Sequence, residues 1–441
     1  MTVPVTGQWD VLVAGGGPAG CAAAAAAARE GARTLLVEAT GCLGGMGTSG
    51  LVPAWMPWWD GARPLLGGIA ERIIRASIAG MPQADLSSWR GYVPIDAEAL
   101  KRLYDELARE AGADVLFHTQ LVGVQAEGGR ADTAVLASKA GLNGSRAKVF
   151  VDCTGDADIA VGAGASFHQG DPETGELMPV THCFTLSHVD DYGYTYVARK
   201  QWREAIQKIL ASGRYPDIPD HHSCNELVGP GTVGFNAGHQ WDVDNLDPFS
   251  VSRALMQGRR MAKAYRDALA EFLPAAFGSA HLVNTGSLLG VREGRRIVGD
   301  YVLTIDDYQA RRSFPDEIAR SHYPVDIHAS KHEVADGQDA KFRPVARYEH
   351  YQAGESHGIP YRCLCPKEVA NVLVAGRSIS CDRPMQGATR IMPTCLAMGE
   401  AAGLAAALAA QAEGDIHAVD TARLRRRLRE EGGRLPQYDG A

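Results

Sequence analysis

The stretch that decides the fold is Val11-Leu-Val-Ala-Gly-Gly-Gly-Pro-Ala-Gly20, an apolar strand that runs into a glycine-rich turn. The alanine-dense segment 21–30 follows at once and predicts a helix. Gly15 permits the tight turn, Gly17 lets backbone approach phosphates without a Cβ, and Gly20 lets helix and strand pack closely. The helix N-terminus presents free N–H groups to an anion. The stretch therefore predicts a Rossmann-type unit that binds a dinucleotide pyrophosphate.

A second predicted strand, Arg33-Thr-Leu-Leu-Val-Glu38, ends in a carboxylate. Glu38 lies roughly twenty residues past the glycines, where an acid accepts hydrogen bonds from the adenosine ribose hydroxyls. Its negative charge argues against a 2′-phosphate at that position. Strand, glycines, helix, strand and acid in this order are more specific than the glycine pattern alone.

Composition indicates an ordinary soluble globular protein of two or three lobes. The chain has 441 residues, 45% of them hydrophobic and 22% charged. Its net charge of −8 gives no electrostatic reason to expect nucleic acid or an anionic membrane. The alanine runs are too short to span a bilayer, and residues 1–9 lack the pattern of a secretory signal. Nine scattered cysteines without a CxxC pair predict reduced thiols, a cytoplasmic location and no bound metal.

Several further segments organise the chain around a ligand. The glycine-rich loop 41–50 is predicted to wrap that ligand. A helix is predicted from the N-cap Asp96 to Gly112, followed by short strands at 114–118, 121–126, 131–138 and 147–152 that form a small β-meander. The last of these strands breaks into a Thr-Gly-Asp turn at 154–156, which indicates a return to the nucleotide-binding sheet.

A second lobe is predicted between the nucleotide-binding parts, because composition shifts towards aromatics, His, Pro and Asp over residues 168–361. Helices are predicted near 191–211 and 248–272. Another buried strand closes on Gly376, and a long alanine helix follows Arg390. The predicted division is 1–167, 168–361 and 362–441, with 285–305 left open to return to the first domain. The charged tail 423–434 is interpreted as a solvated helix.

Glycine-bearing strand ends are spread over the whole chain, at 44–45, 155 and 376, whereas a nicotinamide dehydrogenase places its cofactor with one early domain. One long ligand that touches all of them would be FAD. The chain resembles the FAD-dependent oxidoreductases of glutathione-reductase-type fold, and more closely the branch related to fumarate reductase and succinate dehydrogenase flavoproteins. The matching segments run nearly from end to end: 15–20 with Glu38, 43–50, 152–156, 290–300, 360–366 and 371–403.

The resemblance implies an α/β fold class, with a Rossmann-type FAD-binding domain of parallel sheet, helices and small β-meander, and an inserted α+β substrate domain. It places the flavin near residues 44–46, the adenylate half near 155–156 and the ribityl chain near 376–377. Arg377 departs from the wider fold, in which many members have an acid just after the last glycine. The predicted cofactor residues are Gly15, Gly17, Pro18, Ala19, Gly20, Glu38, Ala39, Gly44, Gly45, Met46, Thr48, Val122, Thr154, Gly155, Asp156, Gly376 and Arg377.

Four residues are candidates for chemistry, because a flavin dehydrogenase needs a proton-transferring group and cationic donors. Arg292 and Arg296 share a face at helical spacing, so the cluster around them serves either catalysis or ion pairing. Arg390 is a candidate for orienting an anionic or carbonyl substrate, or for an internal ion pair. His182 begins an alternating strand, and His328 has an acid two positions away that sets its tautomer if the strand is regular.

Other reactive side chains give weaker evidence of a functional role. Metal binding at His221 and His222 lacks neighbouring ligands in the sequence. Cys363 and Cys365, two apart on a predicted strand, are interpreted as simply buried. Cys42 beside the glycine loop leaves a covalent flavin bond open.

The predicted function is hydride transfer between FAD and a small oxygenated organic molecule. A flavin monooxygenase and a non-catalytic electron-transfer flavoprotein subunit are the alternatives. The expected partner is a small-molecule substrate rather than nucleic acid or membrane. The sequence leaves the electron acceptor undetermined and a homo-oligomer open.

Overall fold

A computed structural model describes residues 3–81, 84, 92–331 and 348–436. The strands in this part of the chain are β1 Val5–Ala14, β2 Thr34–Val37, β3 Ala54–Trp55, β4 Val93–Pro94, β5 Asp114–Leu116, β6 Gln120–Glu127, β7 Arg130–Ser138, β8 Gly141–Asp152, β9 Phe167–His168, β10 Phe184–Ser187, β11 Ser223–Gly229, β12 Thr232–Ala237, β13 His281–Thr285, β14 Arg296–Ile297, β15 Glu317–Ser321, β16 His357–Pro360 and β17 Val372–Val374.

The described helices are α1 Pro18–Arg29, α2 Gly68–Ile78, α3 Ala97–Ala111, α4 Asp158–Gly162, α5 Arg199–Ser212, α6 Pro248–Phe272, α7 Pro274–Phe277, α8 Ile305–Gln309, α9 Arg383–Thr389, α10 Met392–Ala410 and α11 Thr421–Glu430. The predicted helix at 191–211 is a six-residue π-helical turn, Gly193–Ala198, that continues into α5. Asp96 caps α3 by accepting from two backbone N–H groups, and Gly112 ends it in the left-handed conformation, as predicted.

The central sheet is mixed. Its parallel part has the order β5-β2-β1-β8-β17, with Val13 of β1 paired to Leu36 and Val151 on its two sides. The first half of the long strand β8 pairs antiparallel with β7, which pairs with β6. The meander and the Rossmann-type sheet are therefore continuous through β8. The fold class predicted from the sequence is present: a Rossmann-type domain with a meander.

Helices α1 and α10 pack unusually close together beneath the sheet. A Cβ on Gly399 or Gly403 would lie 2.1 or 2.0 Å from the backbone oxygens of Ala19 and Ala23. Helix α10 is long and apolar enough to cross a membrane by composition, but 94% of its apolar window is buried inside the protein. The alanine and glycine content of both helices is thus explained by helix-to-helix contact in the core.

The second lobe is a four-stranded antiparallel sheet, β11-β12-β10-β13, covered by α5, α6 and α7. Its core contains Phe184 stacked on Phe235 with ring centroids 4.8 Å apart. Buried residues from Leu303 through Tyr361 pack with the first domain instead, in the cluster that contains α1 and α10. The structure therefore places the end of the inserted core nearer 285 than the predicted 361.

Three local expectations are wrong. Residues 291–295 have no regular secondary structure and lead into the short strand β14, so Arg292 and Arg296 do not share a helix face. Cys363 lies in a short 3₁₀ turn rather than on the predicted strand, whereas the prediction that it is buried is correct. The tail helix α11 is not simply solvated, because Arg425 is buried and donates to the backbone oxygen of Glu317 at 2.6 Å.

Candidate active site

One cavity of about 590 Å³ lies between the two lobes. At one end it is lined by the glycine turn after β1, the end of β2 and the turn after β8. At the other end it is lined by side chains of the inserted sheet and of the segment before α10. The same cavity therefore joins the predicted dinucleotide cradle to a polar chamber, as an enzyme with an elongated cofactor requires.

The cradle has the geometry that the glycine pattern predicts. Gly15 has φ +93°, and a Cβ there would lie 2.4 Å from the backbone oxygen of Cys153. A Cβ on Gly20 would lie 1.8 Å from the backbone oxygen of Gly15, so this glycine packs helix against strand. A Cβ on Gly17 would meet nothing within 4 Å, because Gly17 faces the cavity. The open space at Gly17 and the N-terminus of α1 fit a diphosphate.

Glu38 lies beside this turn and is 8% exposed. Its Oε2 accepts from the backbone N–H of Gly16 at 2.6 Å, and its Oε1 accepts from that of Thr40 at 2.7 Å. Glu38 lines the cavity, and each carboxylate oxygen retains capacity for a further hydrogen bond from a ribose hydroxyl.

The turn after β8 contacts Arg377, the residue that stands where many members of the wider fold have an acid. Arg377 donates to the backbone oxygen of Gly155 at 2.9 Å and to the carboxylate of Asp156 at 3.2 Å. Asn245 of the inserted lobe also donates to Asp156, at 2.8 Å. The positive charge of Arg377 is thus paired with the acid at the end of β8, and both residues line the cavity.

Most of the predicted cofactor residues line the cavity, and four do not. The lining set is Gly15, Gly17, Pro18, Ala19, Glu38, Ala39, Gly45, Met46, Thr154, Gly155, Asp156, Gly376 and Arg377. Gly20 packs α1 against β1, and the N–H of Gly44 donates to Gly16. Thr48 donates its hydroxyl proton to the backbone oxygen of Leu43, which holds the glycine loop in shape. Val122 is 50% exposed outside the cavity, where its neighbour Leu121 contributes instead.

The polar chamber brings together three of the four candidate catalytic residues: Arg292, His328 and Arg390 all line it. His182 does not. It is 1% exposed, its ring lies against α6, and its Nε2 is 2.7 Å from the backbone oxygen of Gly286. Burial lowers the pKa of His182. The structure therefore gives His182 a packing position, because it precedes β10 and its ring lies against Gly258 of α6.

Arg292 is the central cation of the chamber. Its guanidinium donates to the backbone oxygen of Pro179 at 2.9 Å, to the hydroxyl of Thr181 at 2.5 Å and to Nε2 of His222 at 3.1 Å. Among the described residues no carboxylate lies within ion-pair distance of it. Burial, and then the charge of Arg390, lower the pKa of Arg292 to about 10. Arg292 therefore keeps its charge at neutral pH without a counter-ion.

Arg390 and His328 share the carboxylate of Asp326. Arg390 donates to the Asp326 backbone oxygen at 2.8 Å and to its Oδ2 at 3.3 Å, and His328 Nε2 lies 3.5 Å from the same Oδ2. Burial alone would raise the pKa of Asp326, but its contact with His328 and the charges of Arg390 and Arg292 hold it well below its usual range. Burial, and then the charge of Arg292, lower the pKa of His328 to about 3. His328 is thus neutral beside an ionised acid.

Sequence reasoning missed the residues that complete the chamber. Asn236 of β12 and His222, which immediately precedes β11, line it, and His239 lies behind it. The expectation that His222 has no neighbouring ligands is wrong, since nitrogens of His222, His239 and His328 lie within 4.8 Å of one another. No spacing in the chain brings 222, 239 and 328 together. The acid two residues before His328 was the one feature of the sequence that pointed to this cluster.

The glycine cradle and the cavity fit FAD, because a Cβ at Gly15 or Gly20 would clash with backbone while Gly17 leaves space for a phosphate. The model of the FAD dependent oxidoreductase family matches residues 10–428. The chain belongs to this family. It is an enzyme that uses FAD, and the sequence-based prediction of family, cofactor and enzyme class is confirmed.

More distant likenesses come from solved structures. A geranylgeranyl bacteriochlorophyll reductase-like protein from Thermoplasma acidophilum is 15% identical with TM-score 0.43, and the match covers 96% of this chain and 84% of that one. A p-nitrophenol 4-monooxygenase from Pseudomonas putida is 11% identical with TM-score 0.41, covering 92% and 80%. An anhydrotetracycline hydroxylase from Streptomyces rimosus is 14% identical with TM-score 0.39, covering 92% and 62%. No curated protein matches the chain in sequence. Likenesses this distant do not identify a substrate.

Proposed function

We propose that this FAD-dependent oxidoreductase is a dehydrogenase or reductase that transfers a hydride between the flavin and a small oxygenated organic substrate. The observation that carries the proposal is the polar chamber at the end of the cavity, with Arg292, a buried cation that has no carboxylate within ion-pair distance among the described residues, in its wall. A buried cation without a counter-ion is costly, and an anionic or strongly dipolar oxygen of a substrate would relieve that cost.

A second donor supports the same substrate class. Arg390 lines the chamber, and its Nε is buried without a hydrogen-bond partner among the described residues. Arg292 and Arg390 are thus held by the fixed oxygens of Pro179, Thr181 and Asp326 while part of each guanidinium borders the cavity. Two preorganised cations favour a carboxylate or the developing charge on a hydroxyl or carbonyl oxygen.

His328 is the residue that we assign to proton transfer. It lines the chamber, is neutral near pH 7, and has an ionised carboxylate 3.5 Å from its Nε2. When His328 accepts a proton, the resulting imidazolium faces Asp326 and is stabilised by it. An anion bound at Arg292 would also remove much of the charge that keeps the pKa of His328 low. Substrate binding therefore makes His328 a stronger base at the moment it is needed.

In the oxidation direction, His328 takes the proton from the substrate hydroxyl as the C–O bond becomes a carbonyl. FAD, when bound in the cradle, supplies the acceptor for the hydride that leaves the same carbon. Arg292 and Arg390 stabilise negative charge on the oxygen during this change. The reverse sequence, with His328 as acid, reduces a carbonyl.

The test is anaerobic mixing of the FAD-loaded protein with panels of hydroxy acids, uncharged alcohols and amines. Loss of oxidised-flavin absorbance with hydroxy acids, and little with the uncharged analogues, is the expected result. Persistent oxidised flavin across all panels would overturn the proposal. Substrate-dependent consumption of reduced nicotinamide and dioxygen would instead assign the protein as a monooxygenase.

We also propose a cytoplasmic location and a small-molecule partner. All nine cysteines are free thiols, as a reducing compartment requires. Fractionation of cells that express the tagged protein tests the location.

A further inference from the structure

A chain of histidines separates the FAD cavity from a second cavity of about 320 Å³. His328 lines the first cavity and His239 lines the second, and their rings are joined by His239 Nε2 and His328 Nδ1, 2.8 Å apart. The second cavity is also lined by exposed residues, among them Pro219, Asp242 and Arg253. It therefore opens on the surface of the inserted lobe, and only the two rings lie between that surface and the chamber along this route.

The hydrogen bonds fix which nitrogens carry protons. His239 Nδ1 lies 2.5 Å from Oδ2 of Asp220, and a carboxylate only accepts, so Nδ1 carries the hydrogen. When the His239 ring is neutral, its Nε2 is the acceptor and His328 donates to it from Nδ1. In this arrangement His328 Nε2 carries the lone pair and lies 3.5 Å from Oδ2 of Asp326, whose charge stabilises a proton that this nitrogen takes up.

Asp220 is held in the orientation that this chain needs. Its Oδ1 accepts from the backbone N–H of His222 at 3.2 Å, which leaves Oδ2 for His239. Burial on its own raises the pKa of Asp220, but the hydrogen bonds from His239 and from the backbone of His222 hold it below its ordinary value, so the group is ionised at neutral pH. Its side chain is 11% exposed. Asp220 is thus both the anchor of the chain and its contact with solvent.

We propose that Asp220, His239 and His328 form a proton relay that connects the substrate chamber to solvent. A proton taken from the substrate oxygen binds His328 Nε2, the Nδ1 proton of His328 passes to His239 Nε2, and the Nδ1 proton of His239 passes to Asp220 and on to water. Rotation of the two rings restores the starting arrangement. The direction of proton transfer rests on the proposed function, the oxidation of a substrate. The tautomers and the hydrogen-bonded chain from Asp220 to His328 do not depend on it.

The same three histidines raise the alternative of a metal ion, since His222, His239 and His328 offer nitrogens within 4.8 Å of one another. The charges around them argue for a proton. Arg292 donates to Nε2 of His222 at 3.1 Å, so one ligand lone pair already faces a cation. Arg390 adds a second positive charge near the same chamber. A divalent ion would have to displace Arg292 and tolerate both guanidinium groups.

The test exploits the fixed orientation of Asp220. In Asp220→Asn the amide oxygen stays with the N–H of His222, so the NH₂ group faces His239 and donates to Nδ1. His239 must then carry its hydrogen on Nε2 and donate to His328 Nδ1, which moves the His328 hydrogen to Nε2. Nitrogen NMR of the FAD-loaded protein labelled at histidine, assigned with His239→Gln and His328→Gln, reads both tautomers. We expect Nδ1–H on both rings in the wild type and Nε2–H on both in Asp220→Asn.

Turnover of a substrate found in the anaerobic panels gives the second readout. Asp220→Asn and His239→Gln should lower kcat about 100-fold with little change in KM, because they act on proton transfer and not on Arg292. His281→Gln, an exposed histidine on β13 that lines neither cavity, is the control with unchanged kcat. Thermal melts check that each variant is folded.

The outcomes separate the relay from the proposed function. Unchanged tautomers in Asp220→Asn would overturn the relay whether or not the protein is a dehydrogenase. Reversed tautomers with unchanged kcat would show that the chain exists but that substrate protons leave by another route, which also overturns the relay. Reversed tautomers in a protein that oxidises none of the panel would contradict the proposed function alone. Zn²⁺ added to the wild type should leave the three histidine signals unmoved, and stoichiometric binding there would overturn the proton assignment in favour of a metal site.

Discussion

At the cradle end of the cavity the ligand-facing groups are mainly backbone atoms from one short stretch, Gly15 to Ala19, whereas at the chamber end they are side chains brought from β11, β12 and the segments around Arg292, Asp326 and Arg390. The cradle depends on the absence of side chains, and its geometry is set by contacts between α1, β1 and β8. The chamber depends on buried charge. Defects at the cradle should therefore act through fold and cofactor, and defects in the chamber through chemistry and pH.

The largest effect is expected at Gly20. A Cβ there would lie 1.8 Å from the backbone oxygen of Gly15, which cannot move without separating α1 from β1. Gly20→Ala should lower the free energy of unfolding by about 4 kcal/mol or more, measured by chemical denaturation. Gly17→Ala is the matched control, because its Cβ meets no atom within 4 Å and points into the cavity. It should melt like the wild-type apoprotein and bind FAD more weakly. Equal stability of the two variants would contradict this account of the cradle.

The ion-pair network behind the chamber comes next. Glu293 is buried and accepts from Arg296 at 2.8 Å, from Arg383 at 3.2 Å and from the backbone N–H of Met178 at 2.8 Å. Glu293→Gln leaves two buried guanidinium groups under-compensated and should cost about 3 kcal/mol of unfolding free energy. Glu271→Gln, at an exposed ion pair with Arg214, is the control and should leave the free energy of unfolding nearly unchanged. A small effect at Glu293 would mean that this cluster is not structural.

A variant at Arg292 distinguishes a substrate-binding role from the structural role of its neighbour Glu293. Arg292→Met should lower kcat/KM for a substrate of the anaerobic panel about 100-fold, equivalent to about 2.7 kcal/mol, because the chamber loses its uncompensated cation. FAD content should be unchanged, since Arg292 lines the chamber end. Arg260→Met, an exposed arginine of α6, is the control. Wild-type kinetics in Arg292→Met would exclude substrate contact.

The smallest effect is the pH dependence of stability. The pKa of His328 is lowered to about 3 and that of His222 also falls well below its ordinary value, in both cases chiefly by burial. The unfolded chain therefore binds more protons than the folded one below about pH 6.5, and stability is lost as pH falls through that window. Each group contributes about 1.4 kcal/mol per pH unit. Chemical denaturation should show that the free energy of unfolding falls less between pH 7 and pH 5 in His328→Gln than in the wild type. An equal fall in both proteins would refute the assignment.

Local features of the fold were predictable because short-range chemistry decides them. Asp96 and Gly112 bound α3 through capping and a left-handed turn, and both were predicted to the residue. The helix predicted at 248–272 is α6. For the tail helix α11 the same local reasoning predicted a solvated helix, which is wrong because Arg425 is buried against β15.

In the site, the sequence indicated Arg292, His328 and Arg390 as chemically interesting, but it could not tell them from His182. The deciding fact for His182 is that the segment before β10 packs its ring against α6, which is a tertiary contact. The different surroundings of Arg292 and Arg296 likewise follow from a segment without regular secondary structure, for which the spacing predicted a helix.

By itself the sequence determined the cofactor and the Rossmann-type frame, because a dinucleotide is recognised by glycines, a helix start and an acid that are neighbours along the chain. Tertiary structure alone decided the chamber: an unpaired Arg292, a carboxylate shared by Arg390 and His328, and the Asp220–His239–His328 chain. These groups are spread along the chain from Asp220 to Arg390. Their charge and protonation arise from burial and proximity, which no local pattern encodes.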